Sequence, residues 1–304
     1  MRVRGVDDIR PIVMCIRELA AKSALRFAKM APSLHLPDGS PAMNARKYLL
    51  PNVIELNLQA GRPLGVNVYL IDGGTEFILL DIGEMDVLDE VIDLIRAMDF
   101  PLSKCKMIVA THADVDHVQA LNDARDRLKA KTAAHPATAA PIESGDPVET
   151  YARISAQKFN VPMPPCKIDV KLTDGDKIKV GKLELEVMHT PGHTPGQLSL
   201  RLGDAIFSGD NIYKDGCVGV IDAHHGSNLP HFIQSLTRLR DSGAKYLLPS
   251  HGPAFKNDKA LLQSAIDRLT KYQYMADFGT CAIGWPLQDE WEKAIMNGTL
   301  PDWK

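Results

Sequence analysis

The amino-acid sequence predicts a layered α/β protein in which two packed sheets are flanked by helices. Strand-like and helix-like segments alternate between residues 76 and 130, which is typical of an α/β layer. The same order of strands followed by helices recurs over residues 168–272. No linker separates the two halves, so we expect one domain rather than two.

Each element follows from a local pattern. Short apolar or alternating runs bounded by turn residues predict strands, and apolar residues at helical spacing predict helices. The Gly73-Gly74 pair predicts a hairpin turn between two of the strands. The predicted strands cover residues 53–58, 66–71, 76–80, 107–110, 168–172, 183–188, 198–202, 205–208 and 245–248. The predicted helices cover residues 9–31, 86–98, 118–130, 230–240, 259–272 and 289–296.

The two ends of the chain are expected to flank a central domain at residues 52–256. Residues 1–51 are predicted to form an amphipathic helix and a linker rich in proline and glycine. This helix would pack on the body or on a second subunit of a homodimer, although its basic residues also fit a membrane surface. Residues 257–304 are predicted to be a helical extension packed on the same domain. Residues 141–166 have the composition of a long loop or lid.

Composition argues against several function classes. The chain has 304 residues and a formal net charge of -3, without the basic stripe that favours nucleic acid. Its five scattered cysteines suit a reducing compartment better than a disulfide framework. No apolar run approaches the roughly 20 residues that cross a bilayer, and charges interrupt the N-terminal apolar stretch. We therefore expect a cytoplasmic protein with no nucleic-acid partner and no membrane span.

The strongest functional signal is the sequence THADVDH at residues 111–117, directly after a predicted strand. Alternation along an extended loop would point His112 and Asp114 to one side. Asp116 and His117 can then face a second point a few ångströms away. The layout suits two metal ions, but the run alone could equally be a helix start that Asp116 caps.

Three further candidate ligands follow strands in the second half. His193 lies in the turn TPGHTPG, which is too rich in glycine and proline for a helix or strand interior. Asp210 ends the strand at 205–208, and His251 follows the strand at 245–248. Each side chain would therefore project from a rigid strand end, as a preorganised metal site requires.

Together these motifs resemble the metallo-β-lactamase superfamily, in which a His-x-His-x-Asp-His loop precedes a His, an Asp and a His at later strand ends. The resemblance covers roughly residues 52–255. It implies a four-layer αββα sandwich with a binuclear metal site between the sheets, and makes residues 52–256 the catalytic domain. Asp81 matches the early Asp of the family, which supports the ligand loop from beneath. The implied ligands are His112 and His193 for one ion, Asp116, His117 and His251 for the other, and Asp210 bridging both. Asp114 would join His112 and His193 as a ligand, or would only hydrogen-bond to one of the ligands.

Asp114 departs from the family pattern, where most members have histidine. A carboxylate is a harder ligand than an imidazole, so it shifts preference from zinc toward iron or manganese. A carboxylate at this position also resembles the flavodiiron proteins. Zinc accepts carboxylate oxygen too and is the expected metal, with iron or manganese as the alternatives.

The resemblance implies a hydrolase in which two cations share a water and present hydroxide to an electrophilic carbon or phosphorus. Asp116 would orient that water and move its proton. The substrate would be a small molecule, and the bond cleaved would be an ester, lactone, thioester, amide or phosphoester. An alternative is a non-hydrolytic di-iron protein that reduces or senses dioxygen, or oxidises a thiol adduct, with electrons from a separate partner. Separately from the resemblance, Tyr213 is a candidate substrate contact or only a packing residue, and His224 and His225 are equally candidate substrate contacts or simply exposed loop residues.

Overall fold

The computed structural model describes residues 46–58, 65–273, 293–294 and 296–298. Its strands are β1 (Val53–Asn57), β2 (Asn67–Asp72), β3 (Phe77–Leu80), β4 (Cys105–Val109), β5 (Lys131–Ala134), β6 (Arg153–Ile154), β7 (Phe159–Asn160), β8 (Val170–Lys171), β9 (Lys177–Val180), β10 (Leu183–His189), β11 (Leu198–Leu202), β12 (Ala205–Gly209), β13 (Tyr246–Pro249) and β14 (Phe255–Lys256).

Within the same residues, the α-helices are α1 (Leu88–Ala97), α2 (Val115–Val118), α3 (Leu121–Leu128), α4 (Pro136–Ser144), α5 (Leu229–Asp241) and α6 (Lys259–Tyr272). Short 3-10 turns lie at Met85–Val87, Leu102–Lys104, Ser155–Gln157 and Ala223–His225.

The described strands form two large sheets and one small hairpin. The first sheet has the order β1-β2-β3-β4-β5-β8 and is antiparallel from β1 to β3, then parallel from β3 to β8. The second sheet has the order β14-β13-β12-β11-β10-β9 and is antiparallel except for the β12–β13 pair. The small hairpin pairs β6 with β7.

Alternating side chains on the strands create three apolar layers, because successive residues face opposite sides of a sheet. In β3, Leu79 packs toward α1–α3, whereas Ile78 packs between the two sheets. In β12, Phe207 lies between the sheets and Ile206 packs against α5 and α6. The layers are therefore helices, sheet, sheet and helices, which confirms the predicted αββα sandwich.

Most predicted elements are present with bounds shifted by one or two residues. The β2–β3 hairpin turns at Gly73-Gly74, and α6 has the predicted ends. The prediction of one continuous loop at 141–166 is wrong, because α4 covers its start and the β6–β7 hairpin lies within it. Helix α4 begins with Pro136 at its first position, where the missing N–H would have no helical partner.

The predicted N-terminal helix, its linker up to residue 45 and most of the predicted C-terminal helix lie outside the described residues. Among the residues that the structure describes, none belongs to a helix long and apolar enough to cross a membrane.

Candidate metal centre

The candidate site lies where two pairs of parallel strands end at one edge of the sandwich. Leu80 of β3 is opposite Val109 of β4, and Gly209 of β12 is opposite Pro249 of β13. The loops that follow these strands emerge together, at the place where open α/β sheets carry ligand sites. They carry Asp81, residues 112–117, Asp210 and His251.

The run at 112–117 begins as a loop and ends as a helical turn. Helix α2 begins at Val115, so Asp116 and His117 are helical and the prediction of an extended loop throughout is wrong. The alternative in which Asp116 caps this helix does not hold, because Asp114 occupies the N-cap position. The Asp114 side chain makes no capping hydrogen bond. Its carboxylate instead faces His193.

Two candidate ligands are oriented by backbone carbonyls. His193 donates from Nδ1 to the carbonyl oxygen of Val220 over 2.8 Å. His251 donates from Nδ1 to the carbonyl oxygen of Gly65 over 3.0 Å. A carbonyl can only accept, so each ring carries its proton on Nδ1 and turns Nε2 toward the site. Histidines that bind metals are commonly fixed in this way.

Asp81 orients the other two imidazoles from beneath. Its carboxylate accepts from Nδ1 of His117 over 3.0 Å and from the amide and hydroxyl of Thr111 over 2.8 and 2.9 Å. The Thr111 hydroxyl oxygen lies 2.9 Å from Nδ1 of His112 and accepts from it, since its own proton is committed to Asp81. Ser250 adds a longer contact of 3.4 Å. These hydrogen bonds are the contacts that the predicted supporting role of Asp81 requires, and Thr111, which has no sequence signature, shares them.

Asp81→Asn is expected to lower the free energy of unfolding by about 2 kcal/mol, because every partner donates to Asp81 and the new amide would leave a buried donor facing them. Asn tolerates the left-handed backbone at this position, where φ is 57°. Urea denaturation of the metal-free protein would measure the loss. The exposed Asp89→Asn serves as the control, and equal stability of the two variants would contradict the supporting role.

Two groups of side chains converge closely enough for each to hold an ion. Within a group, one ligand atom from each residue lies within 4.8 Å of the others. The groups are His112, His193 and Asp210, and Asp116, His117 and His251.

Asp210 lies between these groups. Its Oδ1 is 3.8 Å from Nε2 of His117, and its Oδ2 is 3.5 Å from Nε2 of His251 and 4.0 Å from Nε2 of His193. This position matches a bridging ligand. Gly219 passes so close that a Cβ there would lie 2.5 Å from the Asp210 carbonyl oxygen and 2.9 Å from Nδ1 of His193. The loop can therefore cover these ligands only with glycine at 219.

Asp114 is adjacent to the first group. Its Oδ2 lies 3.2 Å from Nε2 of His193 and 3.8 Å from Nε2 of His112. Its Oδ1 accepts from Nε2 of His225 over 2.9 Å. One oxygen therefore faces the candidate ligands, and the other is occupied by a partner outside the group.

In the site, the negative charge of the carboxylates is balanced by protonated imidazoles. Burial lowers the pKa of His112 to about 4, so its ring is neutral at pH 7. Burial also opposes charge at His193, but the carboxylates of Asp114 and Asp210 raise its pKa to about 9. Against burial, His251 and His117 hold the pKa of Asp210 well below its usual range. Before a cation binds, protons on imidazoles neutralise the carboxylates.

Three buried atoms at the centre have no hydrogen-bond partner among the described residues: Nε2 of His112, Nε2 of His117 and Oδ1 of Asp210. An unsatisfied buried polar atom costs about 1–3 kcal/mol, so the arrangement is stabilised by a ligand. Imidazole nitrogen and carboxylate oxygen are suitable ligands for zinc, iron and manganese. The residues present therefore fit a pair of divalent cations.

Buried polar side chains that the sequence analysis missed hold the ligand loops. Asn211 donates to the hydroxyl of Thr190 over 3.0 Å and so joins the Asp210 loop to the His193 loop. Ser227 donates to the carbonyl oxygen of His193 over 2.6 Å. Tyr69 donates to the carbonyl oxygen of Pro249 over 2.7 Å, just before His251. No local motif marks these residues, because their roles depend on contacts between distant segments.

The three candidate substrate contacts lie in different environments. Tyr213 donates from its hydroxyl to Oδ2 of Asp210 over 2.8 Å, which places it at the edge of the metal centre. His225 is only 5% exposed, and its Nε2 is occupied by Asp114. It therefore lies behind a candidate ligand rather than in open space. The side chain of His224 lies outside the described part of the chain.

A family model described as the metallo-beta-lactamase superfamily matches residues 61–251, which include every candidate ligand. The chain belongs to the metallo-β-lactamase superfamily. The resemblance in sequence, the αββα layers and the position of the site at one sandwich edge all agree with this membership.

Three relatives from different organisms match between 62% and 71% of this chain. An acyl-coenzyme A thioesterase, MBLAC2, from Gallus gallus is 29% identical over 71% of this chain and 83% of its own. A probable polyketide biosynthesis zinc-dependent hydrolase, BaeB, from Bacillus velezensis is 24% identical over 63% of this chain and 76% of its own. A beta-lactamase-like protein 2 homolog from Caenorhabditis elegans is 28% identical over 62% of this chain, and the match spans 56% of that relative's length.

Solved structures share the fold. The MIM-2 metallo-beta-lactamase superposes with a TM-score of 0.60 at 21% identity, over 77% of this chain and 96% of its own. TTHA1623 in a di-iron-bound form superposes with a TM-score of 0.55 at 26% identity, over 68% of this chain and 96% of its own.

Proposed function

We propose that this protein is a binuclear metal-dependent hydrolase of carbonyl esters, with acyl thioesters as the favoured substrate class. The observation that carries the proposal is the convergence of four Nδ1-anchored imidazoles and three carboxylates at one edge of the sandwich, where three buried atoms have no hydrogen-bond partner within the described part of the chain. Membership of the superfamily supports a hydrolytic metallo-enzyme, and so do the two relatives named as a thioesterase and a zinc-dependent hydrolase.

In this proposal each of the two groups of side chains holds one ion. Asp210 bridges them, and Asp114 joins the first through Oδ2. When bound, two divalent cations lower the pKa of a shared water toward neutrality and polarise the substrate carbonyl. The proposed ligand set is His112, Asp114, His193 and Asp210 on one side, and Asp116, His117, His251 and Asp210 on the other.

Two side chains are proposed to act on the reacting atoms. Asp116 is partly exposed, and its Oδ2 lies 3.3 Å from Nε2 of His251, so it can orient a water at the second group and accept its proton. Burial, together with the nearby Asp210 carboxylate, raises the pKa of Tyr213 well above its usual range, so its hydroxyl keeps its proton. In this structure that proton is donated to Oδ2 of Asp210, so in this proposal the hydroxyl turns from Asp210 to the oxygen that gains negative charge as water adds to the carbonyl carbon.

The thioester class rests on the Gallus gallus relative, which is named as an acyl-coenzyme A thioesterase. This relative aligns with more of this chain than the other two relatives named above. Water would add to the thioester carbonyl carbon, the C–S bond would break, and the products would be a carboxylic acid and a thiol. A thiolate is a good leaving group, so no strong acid is needed on its side.

The test is turnover of a substrate panel by protein whose metal content has been measured. Release of thiol from acyl-coenzyme A esters of several chain lengths would be compared with cleavage of an aryl oxyester, a homoserine lactone, a β-lactam and a phosphodiester. We expect thioesters to give the highest kcat/KM, and chelation to abolish the activity. Asp210→Ala, purified in parallel, controls for contaminating thioesterases.

A protein that holds two ions and turns over none of these substrates would contradict the hydrolase proposal. Faster cleavage of the lactone or phosphodiester would keep the hydrolase and overturn the thioester class.

A di-iron redox protein is the second candidate, because Asp114 adds a hard ligand and one similar structure was solved in a di-iron-bound form. Metal analysis of aerobically and anaerobically purified protein would separate the two. Two irons with visible bands that change with oxygen, and no hydrolysis, would favour this alternative.

A further inference from the structure

Asp114 has a buried partner on the side away from the candidate ligands. Nε2 of His225 lies 2.9 Å from Oδ1 of Asp114, while Oδ2 lies 3.2 Å from Nε2 of His193. A carboxylate can bind a cation with one oxygen or with both. A donor on Oδ1 leaves only Oδ2 for the ion and fixes the direction in which it points.

His225 is itself held in place by a stacked ring. Tyr151 lies over it with 3.5 Å between ring centroids and an angle of 28° between the planes. Tyr151 has a φ of 55°, a left-handed conformation that is costly for a bulky side chain and that persists where surrounding structure enforces it. The preceding residue, Thr150, accepts from the amide of Val115 over 2.8 Å, which ties this segment to the turn that carries Asp114.

The segment after His225 is also fitted closely to the His193 loop. A Cβ at Gly226 would lie 2.7 Å from Cγ of Pro195, and the φ of 83° there favours glycine. The backbone of Ser227 follows and its hydroxyl donates to the His193 carbonyl. His225 is thus placed by its contacts with Tyr151 and Asp114 and by the close fit of the residues that follow it.

We propose that His225 is a positioning residue which holds Asp114 as a one-oxygen ligand of the first ion, and that the Tyr151 ring fixes the His225 imidazole for this purpose. The inference rests on the proposed two-metal function. It gives the unusual aspartate a dedicated partner, so that the Asp114–His225 pair occupies the place of the histidine found in most members. His225 then contacts no substrate.

The test is cobalt(II) binding by the full-length protein, followed by its visible absorption and by competition with a chelator. His225→Phe keeps a ring for Tyr151 but removes the donor, and we expect one of the two ions to bind about 10–100-fold more weakly, with altered absorption bands. His225→Gln places an amide donor near the former Nε2, and we expect affinity within a few-fold of wild type. The exposed His231→Phe on α5 is the matched control.

The two variants must differ for the proposal to stand. If His225→Phe binds both ions with wild-type affinity and spectrum, or if His225→Gln is as weak as His225→Phe, the donor role is overturned. The second arm repeats His225→Phe in an Asp114→Ala background, where we expect no further loss because the partner is gone. A further loss there would show that His225 acts elsewhere and would also overturn the proposal.

These readouts do not require turnover. Wild-type protein that binds two ions without hydrolysing any substrate would contradict the proposed function while His225 could still be judged by cobalt binding. Wild-type protein that binds no ion would overturn both.

Discussion

Asp116→Ala is expected to lower kcat about 10²–10⁴-fold on the best substrate of the panel, because the variant loses the group that orients the attacking water and accepts its proton. The carboxylate lies 3.5 Å from Nε2 of His117 and 3.3 Å from Nε2 of His251, so its loss also weakens the second ion. Turnover should therefore be measured at saturating metal, where any remaining deficit belongs to the chemical step.

Asp116→Asn separates the two effects. An amide oxygen can still contact a cation but is a poor proton acceptor, so we expect metal content near that of wild type with most of the loss in kcat retained. The exposed Asp126→Ala on α3 is the control for removing a carboxylate from this region. Wild-type kcat in Asp116→Asn would contradict a proton-accepting role.

The strand ends that carry the site could be predicted because each has a local signature. His193 and His251 are bracketed by glycine and proline, and Asp210 directly follows the apolar run of β12. Such residues stop a strand whatever the rest of the fold does. The αββα layers followed from periodicity for the same reason, since alternate strand residues must enter opposite apolar layers.

The strands and helices that were not predicted have sequence patterns that are too short or too mixed to indicate a secondary structure. β5 reads Lys-Thr-Ala-Ala, which has no strand signature, and is fixed by parallel pairing with β4. The helical turn α2 begins at Val115, whose amide donates to the carbonyl oxygen of Thr150, 35 residues later. A short stretch of sequence that contains only one of the two paired segments cannot reveal its contact with the other.

The partner of Asp114 was missed for a related reason. His225 was predicted as a substrate contact because it lies in a glycine-rich loop after Asp210, where loops commonly face solvent. Its burial comes from Tyr151 and Asp114, which are separated from it by 74 and 111 positions along the chain. Sequence predicts which residues can bind or donate, whereas the pairing between distant loops decides which of them do.

Metal affinity is expected to rise steeply with pH between about 6.5 and 9, by one to three factors of ten per pH unit, because bound protons must leave before the imidazoles can ligate. Nearby carboxylates raise the pKa of His117, of His193 (to about 9) and of His251, in each case against burial. His112, with its pKa near 4, is already neutral across this range and adds no slope. Calorimetry in buffers of different ionisation enthalpy would count the protons released.

The folding stability of the metal-free protein should instead fall as pH rises. A folded-state pKa raised above the unfolded value of 6.5 contributes stability that is complete below pH 6.5 and is lost as pH rises through the folded value, about 9 for His193. A rise of this size corresponds to at most about 3 kcal/mol. Thermal unfolding with and without metal should therefore diverge as pH rises from 6.5 to 9. A gap in Tm that stays constant over this range would show that the imidazole protons do not compete with the ions, and the charge balance inferred for the site would be wrong.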